Sequence, residues 1–163
     1  MRLISKKTKY GLRALYALTR NFGNGYTLVS KLAEDEAIPK KFLDIILLAM
    51  KNSGLVESKP GRGGGYYLAK PPDQITVGAV VRLMEGPLAP LPCASETAYR
   101  PCEECVDVST CETRLVMREV RDATAAILDR RTLADVCLRT EKLRAANRKR
   151  PKRIVAPSKT SLR

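Results

Sequence analysis

The chain has 163 residues, 44% of them hydrophobic and 29% charged, enough to bury the core of one domain with attachments. Its longest apolar run, Ile45 to Met50, is closed by Asp44 and Lys51 and falls far short of the roughly 20 residues of a spanning helix. Arg13 and Arg20 break up any signal-peptide core, so a cytoplasmic location is expected. Histidine is absent, which removes the commonest general base and nitrogen ligand, and no enzymatic role is expected.

The net charge of +13 is unevenly spread. Residues 1–72 carry 13 basic and five acidic residues (+8), residues 73–138 carry seven and 11 (−4), and residues 139–163 carry ten and one (+9). A basic segment that has the residues to fold suits a polyanion, because counterion release from phosphates drives such binding.

In chain order, residues 5–20 place Leu12, Leu15, Tyr16 and Thr19 at helical spacing, and Gly23-Asn24-Gly25 ends that helix. Thr27 is a candidate cap for a second short helix carrying Leu28, Leu32 and Ala33 inward. Pro39 suits the first position of a third helix, which stops at Gly54. On it Lys40, Asp44 and Lys51 share a polar stripe, while Phe42, Ile46, Ala49 and Met50 form the expected core stripe. Two short helices joined by a tight turn fit a helix-turn-helix, although a plain three-helix bundle fits them too. The next segment favours the former. Leu55–Ser58 and Tyr66–Ala69 read as paired strands around Pro60-Gly61-Arg62-Gly63-Gly64-Gly65, a hairpin that carries Arg62 at its tip. The expected fold is therefore mostly α with a small β-hairpin wing: a winged helix-turn-helix head over residues 1–72.

Pro71-Pro72 marks the expected boundary, and Thr76 caps a fourth helix ended by Gly86-Pro87. Residues 87–111 lack periodicity and read as a loop. From about residue 112 to 131 the chain is helical again, with Val116, Val120, Ala123 and Ile127 on a coiled-coil-like seam. Such a seam has little to pack on within one subunit, so a long dimerisation helix and a homodimer are expected. Thr132 begins a last short helix, and residues 139–163, with RKRPKR at 148–153, read as a basic disordered tail.

Four of the five cysteines crowd into that loop: Cys93, Cys102, Cys105 and Cys111, spaced C-x8-C-x2-C-x5-C. Cys137 stands apart and reads as a small buried hydrophobe. A reduced cytosolic setting argues against disulfides, and soft thiolates suit zinc or an iron–sulfur centre. Structural zinc sites usually carry two short C-x2–4-C hooks; here there is one, which tilts toward a cluster. A metal-free thiol switch is the third reading.

The opening MRLISKKTKYGLRAL, the segment IPKKFLDIILLAMKNSGLVES, the wing GRGGGYYL, the stretch QITVGAVVRLMEGPLAP and the cysteine loop running into CETRLVMREVRD together resemble the Rrf-type bacterial regulators, the IscR- and NsrR-like group. The resemblance covers residues 1 to about 138. It implies a dimeric DNA-binding regulator, a repressor, that binds a palindromic operator and carries one [2Fe–2S] or [4Fe–4S] cluster per subunit, with zinc as the alternative. It implies DNA contacts from Lys40, Lys41 and Asp44 on the recognition helix, from Arg62 on the wing, and from Ser5, Lys6 and Lys7 at the N-terminus. Family members commonly supply three cysteines and a fourth, different ligand. Where one subgroup has a histidine, this chain has Arg114, and where another has a carboxylate it has Lys7-Thr8-Lys9. Using both Cys102 and Cys105 is the simplest way to complete the set. An iron–sulfur carrier is the remaining reading, and it leaves the wing without a purpose.

Overall fold

A computed structural model describes residues 4–148, in six helices and one hairpin: α1 (Lys6–Arg20), α2 (Val29–Asp35), α3 (Lys40–Asn52), β1 (Val56–Lys59), β2 (Gly65–Leu68), α4 (Val77–Glu85), α5 (Glu112–Asp129) and α6 (Leu133–Arg148). A 3₁₀ turn, Pro92–Ala94, lies in the loop between α4 and α5. No helix among the described residues is long and apolar enough to cross a membrane.

One core organises these elements. Leu15 and Leu18 of α1, Leu32 of α2, Leu43, Ile46, Leu47 and Met50 of α3, and Val56 and Leu68 of the hairpin pack together, and Ile75, Val80 and Leu133 complete the same cluster. The packing unit thus extends past Pro71-Pro72, because α4 and the start of α6 both lie on α1. The core face of α3 also differs from expectation. Phe42 is about half exposed and meets Tyr10 edge-on at 6.4 Å, whereas Leu43 and Leu47 are buried. The run from Phe42 to Met50 is apolar except for Asp44, so its period has almost no phase to read. On α1 the buried residues are Thr8, Gly11, Ala14, Leu15 and Leu18, with Leu12, Tyr16 and Thr19 half-buried beside them.

Gly11 is where α1 crosses α3: a Cβ there would stand 2.9 Å from Met50 Cε. The α2–α3 turn places Ala37 at φ 46°, in the left-handed region, so that buried Ile38 can donate its N–H back to Ala33.

β1 and β2 pair antiparallel from Val56↔Leu68 to Lys59↔Gly65. Thr27 is spent on this sheet rather than on capping α2. It exchanges two 2.9 Å backbone hydrogen bonds with Tyr66, and Leu28 takes the N-cap position. That pairing explains Gly65, whose Cβ would lie 2.1 Å from the Thr27 carbonyl oxygen.

Thr76 caps α4 by accepting from the Ala79 N–H at 3.1 Å. Thr132 and Asp135 form a reciprocal box at the start of α6, each side chain accepting from the other's N–H at 3.1 Å. The tail expected to be disordered from residue 139 continues as α6 to Arg148, built from strong helix formers and exposed beyond residue 140. The remainder of that expected tail, residues 149–163, lies outside the described residues.

Candidate nucleic-acid interface and metal centre

The outer side of the head is basic. A cavity of about 510 Å³ is not there but in the cysteine loop; beside the wing lies a second, of about 470 Å³, lined by Ser30, Lys40, Lys51, Lys59, Gly61 and Tyr66 among others. It forms because β1 leaves α3 directly and folds the wing back against the α2–α3 pair. Lys40 and Asp44 are exposed on α3 next to this cavity, and Lys41 is exposed one position round the helix. Asp44 pushes the Tyr66 phenol up in addition to the larger effect of burial. Arg62 sits exposed at the wing tip, where Gly64 donates to the Gly61 carbonyl at 3.0 Å. Lys51 and Lys59 were not among the expected contacts. Lys51 shares the stripe of Lys40, so its place was legible, whereas Lys59 reaches the cavity only through the fold of the hairpin.

The three N-terminal candidates part company. Lys6 is exposed, with Nζ 5.9 Å from the Tyr10 ring centre and so on the side of Phe42 and α3. Ser5 is half-buried and occupied: Oγ accepts from the Thr8 N–H at 3.2 Å to cap α1, and its own N–H donates to Glu85 Oε1 at 2.7 Å. Thr8 also donates its hydroxyl to Glu85. These hydrogen bonds from Ser5 and Thr8 hold the Glu85 carboxyl below its usual range, and Lys7 lowers it further.

In the cysteine loop Cys102 and Cys105 share one turn, the Cys105 N–H donating to the Cys102 carbonyl at 3.4 Å. All the loop's cysteines are free thiols; Cys105 feels both Cys111 and Cys102, and chiefly Cys111 pushes its thiol up to about 11. Cys111 occupies the N-cap position of α5, where the backbone N–H of Arg114 holds its thiol below the ordinary value. Cys93, in the 3₁₀ turn, is buried and faces Cys102 across the cavity of about 510 Å³, which Arg100, Glu103 and Glu104 also line. As arranged, no three or more Cys, Asp or Glu among the described residues are set to hold a metal ion. The donor set fits a soft metal or cluster in kind alone: four free thiols in one loop, with Cys93 and Cys102 lining one cavity and Cys111 already biased toward thiolate.

Two arginines pin this loop to α5. Arg114 Nε donates to the Cys93 carbonyl at 2.9 Å, and Arg121 Nη1 donates to the Ala94 carbonyl at 2.6 Å. Arg121 is 8% exposed and balanced by Asp122 at 2.5 Å and Glu96 at 3.1 Å. Sequence periodicity leaves Arg121 off the seam but gives no sign of its burial. Cys137, expected to be buried, is half-buried; its thiol donates to the Tyr16 carbonyl at 3.7 Å, and burial pushes its pKa up.

Known proteins share this fold. Residues 4–139 match the family model for Rrf2, an iron-dependent transcriptional regulator. A protein of Rhodobacter capsulatus named as an rrf2-like HTH-type transcriptional regulator is 39% identical over 137 residues, covering 82% of this chain and 91% of its own. The structure of CymR, the global cysteine regulator of Bacillus subtilis, superimposes with a TM-score of 0.67 at 33% identity over 82% of this chain and 95% of that one. IscR of T. potens does so with a TM-score of 0.66 at 27% identity, over 91% and 92%. These relatives are regulators of transcription rather than enzymes, and their fold is the winged helix with the hairpin found here. The chain belongs to the Rrf2 family of transcriptional regulators.

Proposed function

We propose that the chain is a homodimeric, DNA-binding transcription regulator, a repressor, whose affinity for a palindromic operator is set by an iron–sulfur cluster held on the cysteine loop. The observation that supports the cluster is the gathering of four free thiols in one loop, with Cys93 and Cys102 lining one cavity and Cys105 neighbouring Cys111 at the start of α5. All four would ligate. When bound, a cluster supplies a redox- and nitric-oxide-sensitive centre whose loss changes the number of fixed points in the loop. The chain's own residues carry that change onward: Arg114 and Arg121 tie the backbone beside Cys93 to α5, so a shift of the loop is felt along that helix.

The dimer reading rests on α5, whose Val116, Val120, Ala123 and Ile127 are all exposed in the single subunit, Ile127 by 65%. Two copies joined along this seam would carry two heads, and Lys40, Lys41, Asp44 and Arg62 of each would face one half-site, with Lys6 and Lys7 beside the phosphates. Ser5 would contribute indirectly, by capping α1.

An anaerobic absorption spectrum with iron, sulfide and zinc measured on the same sample tests the cluster. Visible charge-transfer bands with matched iron and sulfide are expected. Stoichiometric zinc without colour, or bare thiols, would leave the DNA-binding role and remove the cluster. A metal-free thiol switch is the second choice, supported by the free thiols of the loop.

A further inference from the structure

The outward face of α3 is not polar throughout. Lys41, Ile45, Leu48 and Asn52 follow one another at helical spacing and are all exposed, and Ile45 and Leu48 stand 64% and 54% in solvent. Two bare branched aliphatics side by side on a helix cost free energy in water and call for an apolar partner. Charge decides which kind. Lys40 and Lys51 flank the stripe on one side, with Lys59 beyond them on the wing, half-exposed Phe42 flanks it on the other, and Asp44 is the one carboxylate on the exposed side of the helix. A protein surface would have to bring its own acidic rim around an apolar centre, while a DNA major groove supplies both. Its walls are phosphates, its width admits an α-helix, and its floor carries one apolar group, the C5-methyl of thymine. The apolar seam available to a second copy lies elsewhere, on α5.

Resting on the DNA-binding reading, we infer that Ile45 and Leu48 are specificity-determining residues that read thymine methyl groups in the major groove. Lys41 and Asn52, at either end of the stripe, supply polar contacts to phosphate and base edges. The recognition helix then selects T·A steps by apolar contact at its centre, and an operator half-site carries thymines opposite these two positions.

The full chain is used to select duplexes from a random-sequence library, and the selected duplex is remade with deoxyuridine replacing one thymidine at a time, which deletes a single methyl. Anisotropy titrations with the wild-type protein should show one or two positions per half-site where that deletion weakens binding about fourfold, the worth of one buried carbon group. Ile45→Ala should abolish the penalty at one of them and Leu48→Ala at the other; both side chains are exposed, and alanine favours the helix. A duplex bound sequence-specifically, yet indifferent to every methyl deletion, overturns the inference. So does an unchanged methyl preference in both alanine variants, which would hand the stripe to another partner. A library that enriches no sequence overturns the DNA-reading function itself, a separate and recognisable failure.

Discussion

Lys51 and Lys59 show how a single side chain acquires a role from its neighbours. Each is an ordinary exposed lysine in the sequence, but the wing brings them with Lys40 to one cavity beside α3. Neither is placed against a base edge by anything but charge, so each should act on phosphates. Lys51→Ala and Lys59→Ala are expected to weaken all duplexes alike and to lower the salt slope of log K by about one each, whereas Arg62→Ala at the wing tip should cost about 1–3 kcal/mol if it reads bases. Titrations at several salt concentrations separate the two behaviours. Residue-level legibility was uneven. The cysteine spacing is visible in the sequence, as is the stripe of Lys40, Asp44 and Lys51. The burial of Arg121 is not, since a carbonyl 27 residues away decides it. Nor is the occupation of Ser5, because Glu85 arrives from 80 positions along the chain.

At the scale of elements, local signals located the helices, and long-range contacts set their faces. Thr76 and Thr132 cap where the sequence suggests. Thr27 does not, since a strand partner 39 positions away claims its backbone. The crossing of α1 over α3 at Gly11 is tight but ends on the flexible tip of Met50. Gly11→Ala should therefore be nearly neutral, the helix propensity of about 1 kcal/mol offsetting the shift of Met50. Gly11→Leu should lose about 1–3 kcal/mol or more by overpacking, and urea melts distinguish the two. On α5, Ile127→Asp places a charge in the exposed seam without touching the subunit's own core. It should convert a dimer to monomers in sedimentation while leaving helix content unchanged. A persistent dimer would move the interface elsewhere.

Across the described residues, the head packs as one body with α4 and α6, because both lie against α1. Glu85, at the end of α4, is the polar part of that joint, and its carboxyl is held low by hydrogen bonds from Ser5 and Thr8. A group whose folded-state value lies below its unfolded value of 4.5 stabilises fully above that pH, and the contribution fades as the pH falls through the lowered value. Glu85→Gln should thus cost about 1 kcal/mol at pH 7, the exposed carboxylate being screened by solvent. Urea melts of variant and wild type should converge as the solution is acidified below the carboxylate range. An equal gap at pH 7 and pH 3 would show that the joint does not depend on the charge.

On the proposed reading, the same joint links the cysteine loop to the head, through the packing of α5 on α4 and of α4 on α1. The most direct test compares operator affinity of the anaerobic protein with that of Cys111→Ser, at one salt concentration and on a library-selected duplex. The variant is expected to lose the cluster's colour, and its affinity to differ from wild type by about tenfold, a coupling of about 1.4 kcal/mol. Equal affinities, with the variant colourless and the wild type coloured, would contradict control of DNA binding by the cysteine loop.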